Sequence, residues 1–255
     1  MIRFFRKIRY NLMEQNKTGK YLKYAIGEIV LVVIGILIAI SINNWNEARK
    51  TRDKEVTYLN NIKSDLQISI LEINEFISER KSQINFANTI MEHFNGKPVA
   101  DWNIFNKSIL EVYTWQRFFL RDNTFQELIN SGNYAIISND SIKNELLNLE
   151  LLYKKLKDNE NHFRYDAEVT LYEPGFETHD INSMSKNYAF QVSNGIIGEL
   201  GNITKETYGN IFEDRKQKNG FALAVLEFSG MKEKMIKMKE KCDRLISLID
   251  IELAK

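Results

Sequence analysis

The chain has 255 residues, enough for one large domain or two small ones, and its 44% hydrophobic and 27% charged content suits a body that is mostly globular. One cysteine excludes an intrachain disulfide framework and a cysteine-rich zinc site, and three histidines leave little room for a histidine-built metal centre. Two prolines and 12 glycines argue for long uninterrupted helices over a loop-rich β fold, and a net charge of +1 argues against a nucleic-acid-binding body with a broad basic face.

The charge is unevenly spread. Residues 1–42 hold seven lysines and arginines against Glu14 and Glu28; the remainder is net acidic. Ala25 to Ile42 then forms an apolar run with no polar side chain from Ile29 to Ile40. Eighteen helical residues span about 27 Å, enough for a bilayer core. Tyr21 and Tyr24 precede the run and Trp45 follows it, at the two expected headgroup boundaries. Arg3, Arg6, Lys7, Arg9, Lys17, Lys20 and Lys23 lie before it. Only Arg49, Lys50, Arg52 and Lys54 follow, interleaved with Glu47, Asp53 and Glu55. Positive charge resists translocation, so the expectation is a cytoplasmic N-terminus and an exported C-terminal part. Ala39-Ile40-Ser41 has the small-x-small form of a signal-peptide cleavage site. It abuts the apolar run without a polar spacer, and the leading region is long, so a retained anchor is expected. Glu28 sits about 4.5 Å inside the span. Its simplest role is to reach back to the headgroups or pair with Lys20 or Lys23; the alternative is a contact with another membrane helix. Gly35 and Ala39, four apart, would permit such a close approach.

Beyond the span, three long segments show apolar residues in steps of three and four. The first, from about Trp45 to Phe94, carries Leu59, Ile62, Leu66, Ile70, Ile73, Ile77, Ile84, Ala87, Met91 and Phe94, and is broken at Arg80. Asn95-Gly96-Lys97-Pro98 is a turn, and Asp101 caps a helix to about Tyr113. Asn123 or Thr124 caps a short helix that Gly132 ends, and Tyr134 to Ile137 reads as briefly extended. The second long helix begins at an Asn139 or Asp140 cap, carries Ile142, Leu146, Leu149, Tyr153, Leu156, Phe163 and Ala167, and stops at Pro174-Gly175. Residues 176–202 show no sustained period, and a stretch of that length is a place to look for a ligand site. His179, Asp180 and Tyr188 are its candidate residues. The third long helix runs from Phe221 to about Leu253 through Ala224, Phe228, Met231, Met235, Met238, Cys242, Leu245 and Ile249. Three such stripes bury one another in an all-α antiparallel bundle with a coiled-coil-like seam.

Catalytic signatures are absent from the sequence. There is no nucleophile elbow, no phosphate-binding glycine loop and no His-Glu-x-x-His. Gly195-x-x-Gly198-x-x-Gly201 lacks dinucleotide spacing and reads as a loop. His162 and Asp166 share a helical face but make too few ligands for a metal. His93 ends a helix, where a partly protonated ring suits the dipole. His179-Asp180 could form a general-base pair, but no third group can be placed. Cys242 lies in an apolar stripe and reads as a small buried hydrophobe. No cofactor is expected.

Several blocks resemble a known family. Phe4-Phe5-Arg6-Lys7-Ile8-Arg9, the run Lys23 to Ala39, and Asn43-Asn44-Trp45-Asn46-Glu47 are similar to an uncharacterised membrane-protein family found mainly in Bacteroidota, catalogued as domain of unknown function 6090. Thr124-Phe125-x-x-Leu128-x-x-Ser131-Gly132, followed by Ile137-Ser138-Asn139, falls where that family has it; Ile40-Ser41 departs from its Leu-Gln. The resemblance implies an envelope protein with one N-terminal anchor, and no activity.

The sequence therefore divides into a cytoplasmic basic segment (1–24), a transmembrane helix (25–42) and a periplasmic helical bundle (43–255). The leading reading is a single-pass inner-membrane protein. Its partners are the lipid bilayer and a protein partner or a second copy, with no nucleic acid, and its role is interaction, scaffolding or ligand sensing. The alternative is an envelope hydrolase with a site near residues 176–202.

Overall fold

A computed structural model of the chain describes residues 18–255 together with Arg6 and Tyr10, and only the backbone of Thr18, Lys20, Tyr21 and Tyr24. Most of the basic segment 1–24, and the side chains of the boundary tyrosines, lie outside the described residues. The described residues are almost entirely helical and contain no strand. The chain forms two units, Met1–Thr57 and Tyr58–Lys255.

The first unit is helical from Thr18, where helix α1 (Thr18–Phe94) begins. The large apolar side chains between Ile29 and Ile40 are all exposed. This is the one helix among the described residues long and apolar enough to cross a membrane. Sequence reading treats the apolar segment and the helix from Trp45 as separate elements, but α1 contains both. The physical reason is plain: no glycine or proline occurs between Gly35 and Gly96, so nothing stops the helix.

The second unit is an up-down-up-down bundle. The remainder of α1 is the first strut. The second strut is broken: helix α2 (Trp102–Tyr113), an irregular run 114–122, and helix α3 (Asn123–Asn130). It descends alongside α1, as a ladder of contacts shows. Gln83 Nε2 donates to Glu111 O at 3.3 Å, Ser69 Oγ to Arg121 O at 3.2 Å, Thr124 N to Asp65 Oδ2 at 3.0 Å, and Tyr58 Oη to Glu127 Oε1 at 3.0 Å. Helix α4 (Asp140–Ala167) climbs again, and helix α7 (Arg215–Leu253) returns. Their antiparallel pairing is fixed by Lys241–Glu145 at 3.0 Å near one end and Phe163–Phe228 at 4.7 Å toward the other. Lys63–Asp250 at 2.5 Å and Phe94–Phe221 at 6.0 Å set α7 antiparallel to α1 as well. At the Phe94 end the bundle is closed by a π-turn (Glu168–Tyr172), helices α5 (Glu173–Thr178) and α6 (Ile181–Val192), and two 3-10 turns (Lys205–Tyr208 and Ile211–Glu213).

One apolar core joins the struts. Leu149 and Met238 are buried, as their stripes require, and Cys242 is fully buried too. The α1 seam is phased differently from the sequence reading. Its inward positions are Leu59, Ile62, Leu66, Ser69, Ile73, Phe76, Arg80, Gln83, Ala87, Ile90 and Phe94, in alternating steps of three and four; Phe76 is half-buried and the others are buried. Ile70, Ile77, Ile84 and Met91 lie one place off this seam and are only partly buried. Arg80 does not break the stripe; it belongs to it.

The caps at Asp101 and Asn139 are as expected. Asp101 Oδ1 accepts from Asn103 N at 2.7 Å, and Asn139 Oδ1 accepts from Ser141 N at 2.9 Å. Gly132 takes the left-handed conformation, φ 72°, directly after the short helix. Three other expectations are corrected. Tyr134–Ile137 is not extended; Asn133–Ile136 is a 3-10 turn. Pro174 does not end the second long helix, because the π-turn shifts the hydrogen-bond frame and places it in the first turn of α5, where a missing N–H costs little. Residues 176–202 are not irregular throughout, since they contain α6. Its polar, small-residue sequence hides its period, but Asp180 caps it through Ser183 N at 3.1 Å.

Candidate functional site

The polar residues of the α1 seam are the first feature that packing alone would not select. Arg80 is fully buried. Its Nη1 donates to Gln83 Oε1 at 2.7 Å and its Nη2 to the carbonyl of Gln116. Its guanidinium sits 5.4–5.7 Å from the ring centroids of Phe76, Trp115 and Phe228. Across the core, the fully buried Glu160 accepts from Phe118 N at 2.8 Å and from Lys157 Nζ at 2.6 Å, with Arg117 Nε at 3.6 Å. Burial lowers the Arg80 pKa to about 10, and the charges of Glu160 and Glu79 hold it from falling further. This arrangement ties α1, the broken second strut, α4 and α7 at one level.

Gln83 and Gln116 also line a groove of about 570 Å³. Its remaining lining includes Glu75, Glu79, Glu111 and Tyr188. The three glutamates form no ion pair among the described residues, so the groove's charge suits a cationic group better than an anion. Tyr188, a residue singled out in the sequence, thus does line a concave surface. Its hydroxyl is 3.4 Å from Thr114 Oγ1, and partial burial raises its pKa.

His179 and Asp180 go elsewhere and do not act on each other. His179 is buried, with Nε2 3.1 Å from Gln217 Oε1, Nδ1 3.1 Å from Thr178 Oγ1, and its ring against Tyr208 at 5.3 Å. Burial lowers its pKa, partly offset by the bond to Gln217. Asp180 is occupied by its cap and by Ser183 Oγ at 2.6 Å, and this bonding holds its pKa down. The sequence reading missed the network that fixes this end of the molecule. Asn106 and Asn187, both fully buried, bond each other at 2.8 Å; Tyr208 Oη donates to Asn106 Oδ1 at 2.6 Å, and Asn187 Nδ2 donates to Asn103 Oδ1 at 2.8 Å. Isolated amides in a polar stretch give no sequence signal that they will meet.

His162, exposed, lies 3.4 Å from Glu227 and 3.8 Å from Asp166, a solvated pairing. Among the described residues no group of three or more His, Cys, Asp or Glu is placed to hold a metal ion. In the first unit, Glu28 is half-buried, whereas Gly35 and Ala39 are exposed and a Cβ at Gly35 would meet nothing within 4 Å. The Thr124–Gly132 block has a structural use throughout: Thr124, Phe125 and Leu128 are buried, Asp65 receives the Thr124 N–H, and Gly132 turns the chain.

A family model described as a family of unknown function, DUF6090, matches residues 28–176, more than half of the sequence. The chain belongs to this family. The DUF6090 match takes in the apolar run from Ile29 to Ile40, Arg80, Glu160 and the Thr124–Gly132 block, and ends in α5. No curated protein and no solved structure matches the chain.

Proposed function

We propose that this DUF6090 member is a single-pass inner-membrane protein. Its N-terminus is cytoplasmic, and its helical bundle is presented to the periplasm for protein interaction, scaffolding or ligand sensing through a partner. The observation that carries the reading is the exposed apolar face of α1 from Ile29 to Ile40. A soluble protein would bury such a surface; a bilayer accepts it. The excess of lysine and arginine before the span supports the orientation. The bilayer is one partner, and a protein or a second copy is the other. The Gly35/Ala39 face with Glu28 offers one route to self-association. His179 and Asp180, on which a hydrolase reading leans, are engaged in packing and capping contacts.

The test is a reporter active only outside the cytoplasm, fused after Lys255. It should be active, and a cytoplasm-only reporter at that position should be silent. The reverse pattern would reject the topology.

A further inference from the structure

Two walls of the second unit carry opposite charge. One is the groove between α1 and α2 described above, with Glu75, Glu79 and Glu111. The other is a groove of about 480 Å³ between α4 and α7, where Lys155, Lys237, Lys241 and Arg244 face one acid, Glu240. The walls point opposite ways, because α1 borders α2 and α7, while α4 borders α7 and, through Phe118 N on Glu160, the second strut. Local pairing does not cancel the basic wall. Glu145 serves both Lys241 and Arg244, Glu233 serves Lys237, and Lys155 forms no ion pair among the described residues. Each wall also has exposed aliphatic side chains one turn before its charges. On α1, Ile68 (43% exposed) and Leu71 (66%) precede Glu75 and Glu79; on α4, Leu147 (42%) and Leu151 (52%) precede Lys155. Steps of three and four keep each set on one helical face. Their levels agree as well. Phe76 packs on Phe118, whose N–H bonds Glu160, and Leu66 and Leu149 line one small pocket. Counting from these pairs puts Leu151 within about one turn of Leu71, and Lys155 within about one turn of Glu75. The Lys63–Asp250 and Phe94–Phe221 pairs put Lys237 level with the Glu75–Glu79 turn.

We propose that the α1/α2 wall of one copy docks on the α4/α7 wall of the next, so that copies of this chain stand side by side in a row. The proposal rests on the single-pass reading above and names the partner as a second copy. The argument for that partner is complementarity in charge and in order. Helices α1 and α4 run the same way, so both walls read apolar, then charged, in one direction. Anchors of one topology hold copies parallel. Parallel copies set Leu71 against Leu151, and Glu75 and Glu79 against Lys155 and Lys237; antiparallel copies would set the acids against the aliphatic side chains. The lysines of the neighbour are the cations that the acidic groove suits. Opposite charges across such a contact steer encounter and fix register. Since the two walls are different surfaces on opposite sides of the bundle, the contact is heterologous and repeats.

The experiment uses the full chain in its native membranes, carrying Leu71→Cys and Leu151→Cys together, under a mild oxidant. The native Cys242 is fully buried. The two new cysteines lie on opposite walls of one copy, too far apart to pair within it. A reducible ladder at two, three and more times the chain mass should form, and neither cysteine alone should give it. Reversing the acids (Glu75→Lys with Glu79→Lys) should cut the ladder by about tenfold or more, and so should reversing the bases (Lys155→Glu with Lys237→Glu). All four reversals in one chain should restore it, which misfolding could not do. No ladder, a ladder from Leu71→Cys alone, a ladder that ignores either reversal, or no restoration would each overturn the row. Reporters active outside the cytoplasm with no ladder would remove the row and leave the topology standing; inverted reporters would remove the topology whatever the ladder shows.

Discussion

Arg80 shows how one residue can be misread from its letter. An arginine at an inward heptad position looks like an interruption, yet three rings and two glutamine groups receive it. The two ends of this level should respond differently to mutation. Glu160→Ala leaves Lys157 and Phe118 N without their buried acceptor and Arg80 without its balancing charge, at a cost of about 3–5 kcal/mol. Arg80→Met keeps much of the volume and removes the buried charge together with its bonds, so it should cost less. Thermal melts followed by circular dichroism can rank them; equal losses would show that the charge balance is not what matters. His179 provides a pH-dependent counterpart. Its folded pKa lies below the ordinary value of about 6.5, so the unfolded chain binds its proton first as pH falls. The stability that His179 contributes is therefore fully present above about pH 6.5. It is lost as pH drops through the window down to the folded value. His179→Asn should flatten the fall in melting temperature between pH 7 and pH 5. An unchanged slope would mean that carboxylates alone set it.

At the scale of elements, what was legible in the sequence followed backbone rules. Asp101, Asn139 and Gly132 act as caps and stops because their chemistry is local. The three long amphipathic helices were legible because periodicity survives one wrong phase; Ile73 lies on the core seam as read, but the next seam position is Phe76 rather than Ile77, and a one-place slip moves a residue by about 100°. What was not legible depends on distant partners. The π-turn is one example. It brings Leu171 and Thr170 against α7, where a Cβ on Gly220 would sit 2.5 Å from Leu171 Cδ2 and 2.6 Å from Thr170 Oγ1. Helix propensity alone would favour Gly220→Ala by about 1 kcal/mol. The fully buried Leu171 cannot yield freely, and overpacking of this kind costs about 1–3 kcal/mol, so the substitution should destabilise. Gly230 lies on the same helix with its nearest neighbour at 3.8 Å, and Gly230→Ala should stabilise by about 0.5–1 kcal/mol. Opposite signs in paired melts would support close packing at the π-turn; two stabilising alanines would show that propensity wins. In the candidate groove, only Tyr188 was legible, because glutamates on two helices look like ordinary solvated faces until the fold aligns them.

For the molecule as a whole, the proposed anchor can be tested by its energy balance. Between Ile29 and Ile40 there are ten leucines, isoleucines and valines. On an insertion scale each contributes roughly −0.3 to −0.6 kcal/mol near the helix centre, so the run supplies on the order of 3–6 kcal/mol of favourable free energy. One arginine at mid-span costs about 2.5–3.5 kcal/mol and also removes an apolar contribution. Ile34→Arg alone should therefore weaken insertion without abolishing it, leaving a mixed population in alkaline extraction of membranes. Ile34→Arg with Leu37→Arg roughly doubles the cost and should release the chain from the membrane fraction. The bundle should survive both changes, because none of the residues from Ile29 to Ile40 belongs to the core of the second unit. A double variant that stays in the pellet while its helical melt is unchanged would mean that something other than this segment holds the protein there. If the double variant left the pellet but lost its melt, the first unit would have a structural role in the second that the core packing does not reveal.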